Sequence, residues 1–308
     1  MENTESKYIK VAGMQHISKV VEKANQKITD GRTGKETFLK TPWKKINDKI
    51  MGISYDDIVV IAARPGVGKS AFANKLVRGF FELNPTQKII VLYWSFEMPS
   101  YQQVLRWYSE SHNVGTKEMR SSQDPISDSL FEELKQTGSK LSNLQIYFRD
   151  IPLKGIEWFN MVKQVQGQFP GYHIINLLDH TRLVRKGEEK SEEERITNLM
   201  CYANELKNEY EIPSIFLTQM NRDIEKDKDR EKIGKNPPVL ADIFGASSVE
   251  QFGTLVIALH RPEMYNITNY MDLPTKGLMA AHILKQREGW VGMISLKHDL
   301  STYKIKDE

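Results

Sequence analysis

An α/β fold with a mostly parallel central sheet is the class this 308-residue chain predicts. Three observations carry it. Five short apolar runs recur along the chain, separated by segments with apolar residues at helical spacing, as in strands joined by crossover helices. Each run ends in a polar or charged residue. The first run leads into Ala63-Arg64-Pro65-Gly66-Val67-Gly68-Lys69-Ser70, where glycine-rich turn, Lys-Ser and helix start follow a strand, as in a phosphate-binding loop.

The elements follow in order. Ile17, Val20, Val21, Ala24 and Ile28 mark one face of a helix that should stop near Asp30-Gly31,. A polar stretch joins it to the first strand, so its apolar face needs a partner on its own domain or on a neighbouring subunit. Ile58 to Ala62 form the strand before the phosphate loop, and a helix follows through Ala71, Phe72, Leu76, Val77 and Phe80. The next strands run from Ile89 to Phe96, ahead of Glu97, and from Ile174 to Leu178, ahead of Asp179. Ser191-Glu192-Glu193-Glu194 reads as a capping box opening a helix whose face is Ile196, Leu199, Met200, Ala203 and Leu206,. Ile215 to Thr218 precede Gln219, and Leu255 to Leu259 precede His260 and Arg261. Residues 222–238 lack apolar periodicity and read as a long loop,. Ligands bind at the carboxyl ends of parallel strands, so the polar strand-end residues should converge on the edge that carries the phosphate loop.

The chemistry of that edge can be assigned residue by residue. Arg64, Pro65, Gly66, Val67, Gly68, Lys69, Ser70 and Ala71 form the nucleotide cradle. Its glycines let backbone N–H groups wrap a polyphosphate, Lys69 reaches the β- and γ-phosphates, and the Ser70 hydroxyl can ligate Mg²⁺. Ala63 stands where such loops usually begin with glycine. Hydrolysis of a bound nucleoside triphosphate needs a metal, charge stabilisation and a positioned water. Asp179 suits the Mg²⁺ role because it ends an apolar run and carries charge; Asn176, inside that run, is the alternative. Glu97 suits the water-activating base, although an acid before Met98-Pro99-Ser100 could equally open a helix. Gln219 suits a γ-phosphate sensor, since an amide donates to phosphate oxygen without exchanging protons.

Composition sets mild bounds. Apolar residues make up 40% and charged residues 27%, ordinary for a globular chain with a sizeable core. The single cysteine, Cys201, excludes an internal disulfide and fits a reducing compartment,. No apolar run is long enough to span a bilayer, and Met1 to Glu5 lack the apolar core of a signal peptide,. A cytoplasmic location and no membrane partner are therefore expected. The first 50 residues carry 11 Lys/Arg against 6 Asp/Glu, a net of +5, which leaves −2 of the overall +3 for the rest. Any nucleic-acid path must be local. His173, His180 and Cys201 show no metal-ligand spacing and read as structural.

These residues also carry a family resemblance. The loop Ala62 to Ala73, and Ser95-Phe96-Glu97-Met98-Pro99 with downstream Arg106, resemble the phosphate loop and catalytic-glutamate motif of DnaB-type replicative helicases. Leu177 to Val184 is similar to their metal-binding strand, in a form closer to phage primase-helicases. Thr218-Gln219-Met220-Asn221-Arg222 resembles their sensor motif, and Leu284-Lys285-Gln286-Arg287-Glu288-Gly289 the segment that supplies an arginine finger to the adjacent subunit. The resemblance implies a RecA-like P-loop NTPase fold, ATP and Mg²⁺, a ring hexamer, and translocation on single-stranded DNA in replication. Lys285 and Arg287 would be the finger pair; two apart, they would share one side of a strand. Primase and a helicase loader are the further partners it implies. Residues 1–34 would be a segment with a linker helix for subunit packing, and residues 35–308 the motor domain.

The chain also departs from the family pattern. No collar domain precedes the motor within this sequence. The DNA-binding loop, which has Arg in the family, reads Asp242-Ile243-Phe244-Gly245-Ala246-Ser247-Ser248. Phe244, Gly245 and Ser247 are its expected DNA contacts, small residues gripping phosphate through N–H groups and the aromatic stacking on a base. Beside the helicase stand two other readings: a RecA-fold ATPase for recombination or signalling that assembles on DNA without unwinding it, and a non-motor subunit joined to another helicase.

Overall fold

The computed structural model describes residues 11–35, 38–221, 236–287 and 289–308. Met1 to Glu5, Arg222, Glu288 and the 222–235 part of the expected loop lie outside them. Among the described residues no helix is long and apolar enough to cross a membrane.

The chain opens with α1 (Ile17–Arg32), β1 (Phe38–Leu39), α2 (Lys44–Ile50) and β2 (Ile53–Ser54). Then come β3 (Ile58–Ala63), α3 (Lys69–Leu83), β4 (Ile89–Ser95), α4 (Ser100–His112), α5 (Asp128–Leu141) and β5 (Ile146–Arg149). The middle holds α6 (Gly155–Gln168), β6 (His173–Asp179), α7 (Glu192–Tyr210), β7 (Ser214–Gln219) and α8 (Ala246–Phe252). The chain ends with β8 (Leu255–His260), the short β9 (Asn269–Tyr270) and β10 (Leu273–Pro274), then β11 (Leu278–Gln286), β12 (Gly292–Asp299) and β13 (Lys304–Asp307).

One nine-stranded sheet organises the molecule, in the order β5-β4-β6-β7-β3-β8-β11-β12-β13. Its strands from β5 to β8 are parallel, whereas β11, β12 and β13 are antiparallel additions. All five apolar runs of the sequence are strands of the parallel part. Every residue of β3 is buried, and side-chain alternation divides it between two cores. Val59, Ile61 and Ala63 meet Trp43, Phe72, Leu76 and Phe80 on one face. Ile58, Val60 and Ala62 meet Trp158, Leu199, Ala203 and Leu206 of α6 and α7 on the other. Ser191 caps α7 by accepting from the Glu194 N–H at 3.0 Å. The Glu194 carboxylate returns to the Lys190 N–H, one residue before the expected partner.

Helix α1 stands apart energetically. None of its residues is buried, and Ile17 and Ile28 are 64% and 61% exposed. It touches the rest of the chain through the ion pairs Lys23–Glu211 at 2.8 Å and Lys27–Asp56 at 3.6 Å. Exposed pairs of this kind are worth about 0–1 kcal/mol each, far less than burying the Ile/Val face would contribute.

Candidate active site

The carboxyl edge of the parallel strands is where the strand-end residues meet. The phosphate loop turns at Gly66 and Gly68, with φ of 79° and 110°, a region that suits glycine. A Cβ at Gly68 would also lie 2.9 Å from a Leu300 methyl carbon. Gly68 is the N-cap of α3, so Lys69 and Ser70 enter the helix directly. The dipole end of the helix thus faces the loop.

Asp179, at the end of β6, comes to this loop from the second strand over. Its Oδ2 accepts from the Ser70 hydroxyl at 2.8 Å, and its Oδ1 lies 3.6 Å from Lys69 Nζ. Asp179 is fully buried. Its Oδ1 and Lys69 Nζ have no hydrogen-bond partner among the described residues. A buried carboxylate oxygen and a buried ammonium in that state are costly, and both fit a site that takes Mg²⁺ and phosphate. Asn176 does not reach it, since its side-chain oxygen accepts from the Trp94 indole at 3.4 Å.

Glu97 follows β4 and is tied to the same place by backbone. The N–H groups of Phe96 and Glu97 donate to the Asp179 carbonyl at 2.8 and 3.2 Å. Behind this turn runs a buried chain of hydrogen bonds: Tyr93 to Asn74, Asn74 to Gln103, Gln103 to Ser95, and Ser95 to the Met98 carbonyl. Burial first, and then the Asp179 charge, raise the Glu97 pKa above its ordinary value. His180 approaches Glu97 at 3.9 Å. Burial and then Lys69 push the His180 pKa down to about 4, so the imidazole is neutral near pH 7 and the contact is not an ion pair.

Gln219 ends β7 in register with Ala63 and lines the cavity over the phosphate loop, a space of about 350 Å³. Four further residues line that cavity: Arg106, Arg261, Leu300 and Tyr303. Arg261 Nη1 donates to the Gly66 carbonyl at 3.0 Å, and its other nitrogens hold His298 and Glu263. Arg106 sits 4.9 Å from the Tyr303 ring centre. Arg261 was legible as a strand end. Leu300 and Tyr303 follow β12 and carry no motif, so only the fold brings them here.

Lys285 and Arg287 lie at the opposite edge of the sheet. β11 runs antiparallel to β8, so Ala280 stands beside His260 while Gln286 stands beside Leu255. The expected shared strand face is not what forms. The register shifts between Ile283 and Lys285, and the strand ends at Gln286 because β8 has run out. Arg287 is in the turn, its N–H donating to the Thr254 carbonyl at 3.0 Å. Lys285 Nζ donates to the Glu250 carbonyl, whereas Arg287 lines a second cavity with Lys207, Asp56 and Lys27.

The Phe244 loop follows Gln219 across the sheet edge. Phe244 packs against the second core, and the Arg182 guanidinium covers its ring at 4.4 Å from the centre. The expected free aromatic for base stacking is therefore already covered, because a ring beside a cation and a core gains more there than in water. Gly245 has φ of 74° and sits against Ile196, where a Cβ would come within 3.0 Å. Ser248 shares a 2.6 Å hydrogen bond with Thr197 of α7. Ser247 is exposed.

This fold and this edge, with its glycine turn, Lys69, Ser70 and Asp179, define a P-loop protein with a RecA-like architecture. Residues 39–307 match the family described as DnaB-like helicase C terminal domain, and the chain belongs to that family. It is 28% identical over 275 residues to the replicative DNA helicase DnaB of Geobacillus stearothermophilus, covering 88% of this chain and 57% of that one. It is 27% identical over 268 residues to the replicative DNA helicase DnaC of Bacillus subtilis, covering 86% and 55%. The chain thus spans about half the length of the curated relatives it matches. Among solved structures, one described as an ATPase domain superposes with a TM-score of 0.80 at 19% identity, over 94% of this chain and 98% of that one. A DnaB-like replicative helicase, described with its interactions with primase, gives 0.78 at 19%, over 96% and 67%. At that identity the likeness is one of fold.

Proposed function

We propose that this chain is the motor of a ring-shaped, hexameric, ATP-dependent DNA helicase that moves on single-stranded DNA during replication. One observation carries the ring: Arg287 is at the sheet edge opposite its own phosphate loop. A guanidinium there can act on a γ-phosphate only if another subunit presents it. Residues 1–34, with the exposed apolar face of α1, form the segment for subunit packing, and residues 35–308 the motor.

In this reading Arg64 to Ala71 cradle the phosphates and Lys69 holds the β- and γ-phosphates. Ser70 and Asp179 would hold Mg²⁺, which would neutralise charge on the phosphate oxygens. Glu97 accepts a proton from the attacking water; its raised pKa makes it a stronger base than an ordinary carboxylate,. Gln219 donates to the γ-phosphate, and Arg287 with Lys285 from the neighbour stabilises the charge that develops there. Phe244, Gly245 and Ser247 belong to the DNA loop. Primase and a loader are proposed partners, and the cytoplasm the proposed location. The Lys69, Glu97, Asp179 and Gln219 set disfavours a non-motor subunit.

The test is ATPase rate with and without single-stranded DNA, alongside mass by light scattering and strand separation on a forked duplex. A hexamer whose ATPase rises with DNA and which separates strands is expected. A monomer whose specific ATPase is independent of concentration and DNA would overturn the reading. DNA-stimulated ATPase without strand separation would favour the recombination-type ATPase.

A further inference from the structure

The segment 182–195 brings a cation to the Phe244 loop, which carries no Lys or Arg from Asp242 to Gln251. The Arg182 guanidinium lies over the Phe244 ring at 4.4 Å. One edge is held by Glu192: Nε donates to Oε1 at 2.8 Å and Nη2 to Oε2 at 3.2 Å. Nη1 makes no hydrogen bond among the described residues, and 37% of the side chain is exposed. Glu192 is itself braced by Arg195 at 3.4 Å, and Arg195 donates to the Arg182 carbonyl. A ring lies against the guanidinium, a carboxylate takes one of its two hydrogen-bonding edges, and the other edge stays open among the described residues.

We propose that Arg182 is a phosphate contact of the single-stranded DNA path, with Glu192 as its positioning residue. This rests on the helicase reading. An arginine can hold a carboxylate along one edge and a phosphate along the other at once, because its five donors lie in one plane. Glu192 therefore orients Arg182 and partly offsets its charge without filling it. Preorganisation by ring and carboxylate lowers the side-chain entropy lost when a phosphate binds. Phe244 serves as the platform for the guanidinium, and the neighbouring Gly245 and Ser247 contact the same strand.

The experiment is binding of a fluorescein-labelled oligothymidylate to the assembled full chain with a non-hydrolysable ATP analogue, titrated from low to high salt. Arg182→Ala is expected to weaken binding several-fold and to reduce the slope of log K against log salt by about 0.7, one phosphate contact on a single strand. Arg182→Lys keeps the charge and should restore the slope with incomplete affinity. Glu192→Gln removes both the hold on the arginine and a carboxylate that repels the strand, so its affinity should fall below the parent's at high salt, where that repulsion is screened. Near-UV circular dichroism checks that Arg182→Ala keeps its packing; should it not, Arg182→Lys against the parent carries the comparison. Parental affinity and slope in a folded Arg182→Ala, with a parent that binds DNA, would overturn the assignment alone. A lower ring mass with unchanged slope would overturn it in favour of a subunit contact. A parent that binds no single strand overturns both this assignment and the helicase reading.

Discussion

The backbone N–H of Phe244 donates to the carbonyl of Gln219 at 3.2 Å. Around it, Met220 bridges Ile243 in an antiparallel pair, and the Asn221 N–H donates to the Asp242 carbonyl at 2.6 Å. The residue proposed to sense the γ-phosphate and the loop proposed to meet DNA are thus joined by main chain, without a flexible side chain between them. On the proposed reading, displacement of the loop by a bound strand moves the carbonyl side of Gln219. Gln219→Ala should therefore lower the ratio of DNA-stimulated to basal ATPase more than it lowers affinity for the strand. Equal losses in both would show that the main-chain link transmits nothing.

Glu97→Gln should retain ATP binding and lose hydrolysis by on the order of 10²-fold or more, the usual worth of a positioned general base. The acid limb of the parent's kcat/KM, which reports the nucleotide-free protein, should lie above the ordinary Glu value of 4.5, because burial and Asp179 raise this carboxyl,. The same shift has a stability consequence. The native state holds the Glu97 proton more tightly than the unfolded chain, so ionising Glu97 destabilises the fold as pH rises through its pKa. In the absence of metal and nucleotide, Glu97→Gln should melt higher than the parent at pH 7 and equal to it below the unfolded value. An identical melting curve at pH 7 would contradict the shift.

Arg287→Ala should bind ATP and lose activity by on the order of 10³-fold or more, the scale of arginine fingers. Mixing it with Lys69→Ala subunits separates action in trans from a local effect. Some interfaces in mixed rings pair an intact loop with an intact finger, so part of the activity should return. No recovery at any ratio, together with a monomeric mass, would remove both finger and ring.

A chain beginning at Lys35 should lose ring mass in sedimentation while keeping the motor folded. The reason is that α1 buries no residue in its own chain, and among the described residues two exposed ion pairs tie it to the motor. Parental mass in the truncated chain would assign the helix no part in assembly.

Acid should destabilise the fold through two histidines. His180 and His282 both have pKa values pushed to about 4 by burial, below the ordinary 6.5. Between those values the unfolded chain takes up protons that the native state refuses. Their contribution to stability is therefore full above pH 6.5 and is lost as pH drops toward 4. His282 also shares a 3.0 Å hydrogen bond with Tyr270, so His282→Gln keeps a polar partner while removing one proton. Its urea midpoint should fall less between pH 7 and pH 5 than the parent's. An equal fall would show that His282 does not titrate in the unfolding transition.

What the sequence determined by itself is local. Five apolar runs became five strands because a fully buried strand needs continuous Ile, Val and Leu. Gly66, Gly68, Lys69 and Ser70 became a strand-to-helix turn because few residues other than glycine accept its backbone angles. Glu97, Asp179 and Gln219 fell at one edge because parallel strands all present the same end. Tertiary structure decided what depends on strand order and register. It put Ser70 against Asp179 across 109 residues of chain, and it brought Leu300 and Tyr303 over the phosphate loop. The shift between Ile283 and Lys285, with the end of β8, moved Arg287 off the strand that a two-residue period predicts. It also laid Arg182 on Phe244, turning an aromatic that looked free for a base into a support for a cation. Periodicity reports which side of its own element a residue faces; which element lies opposite is set by the packing of the whole sheet.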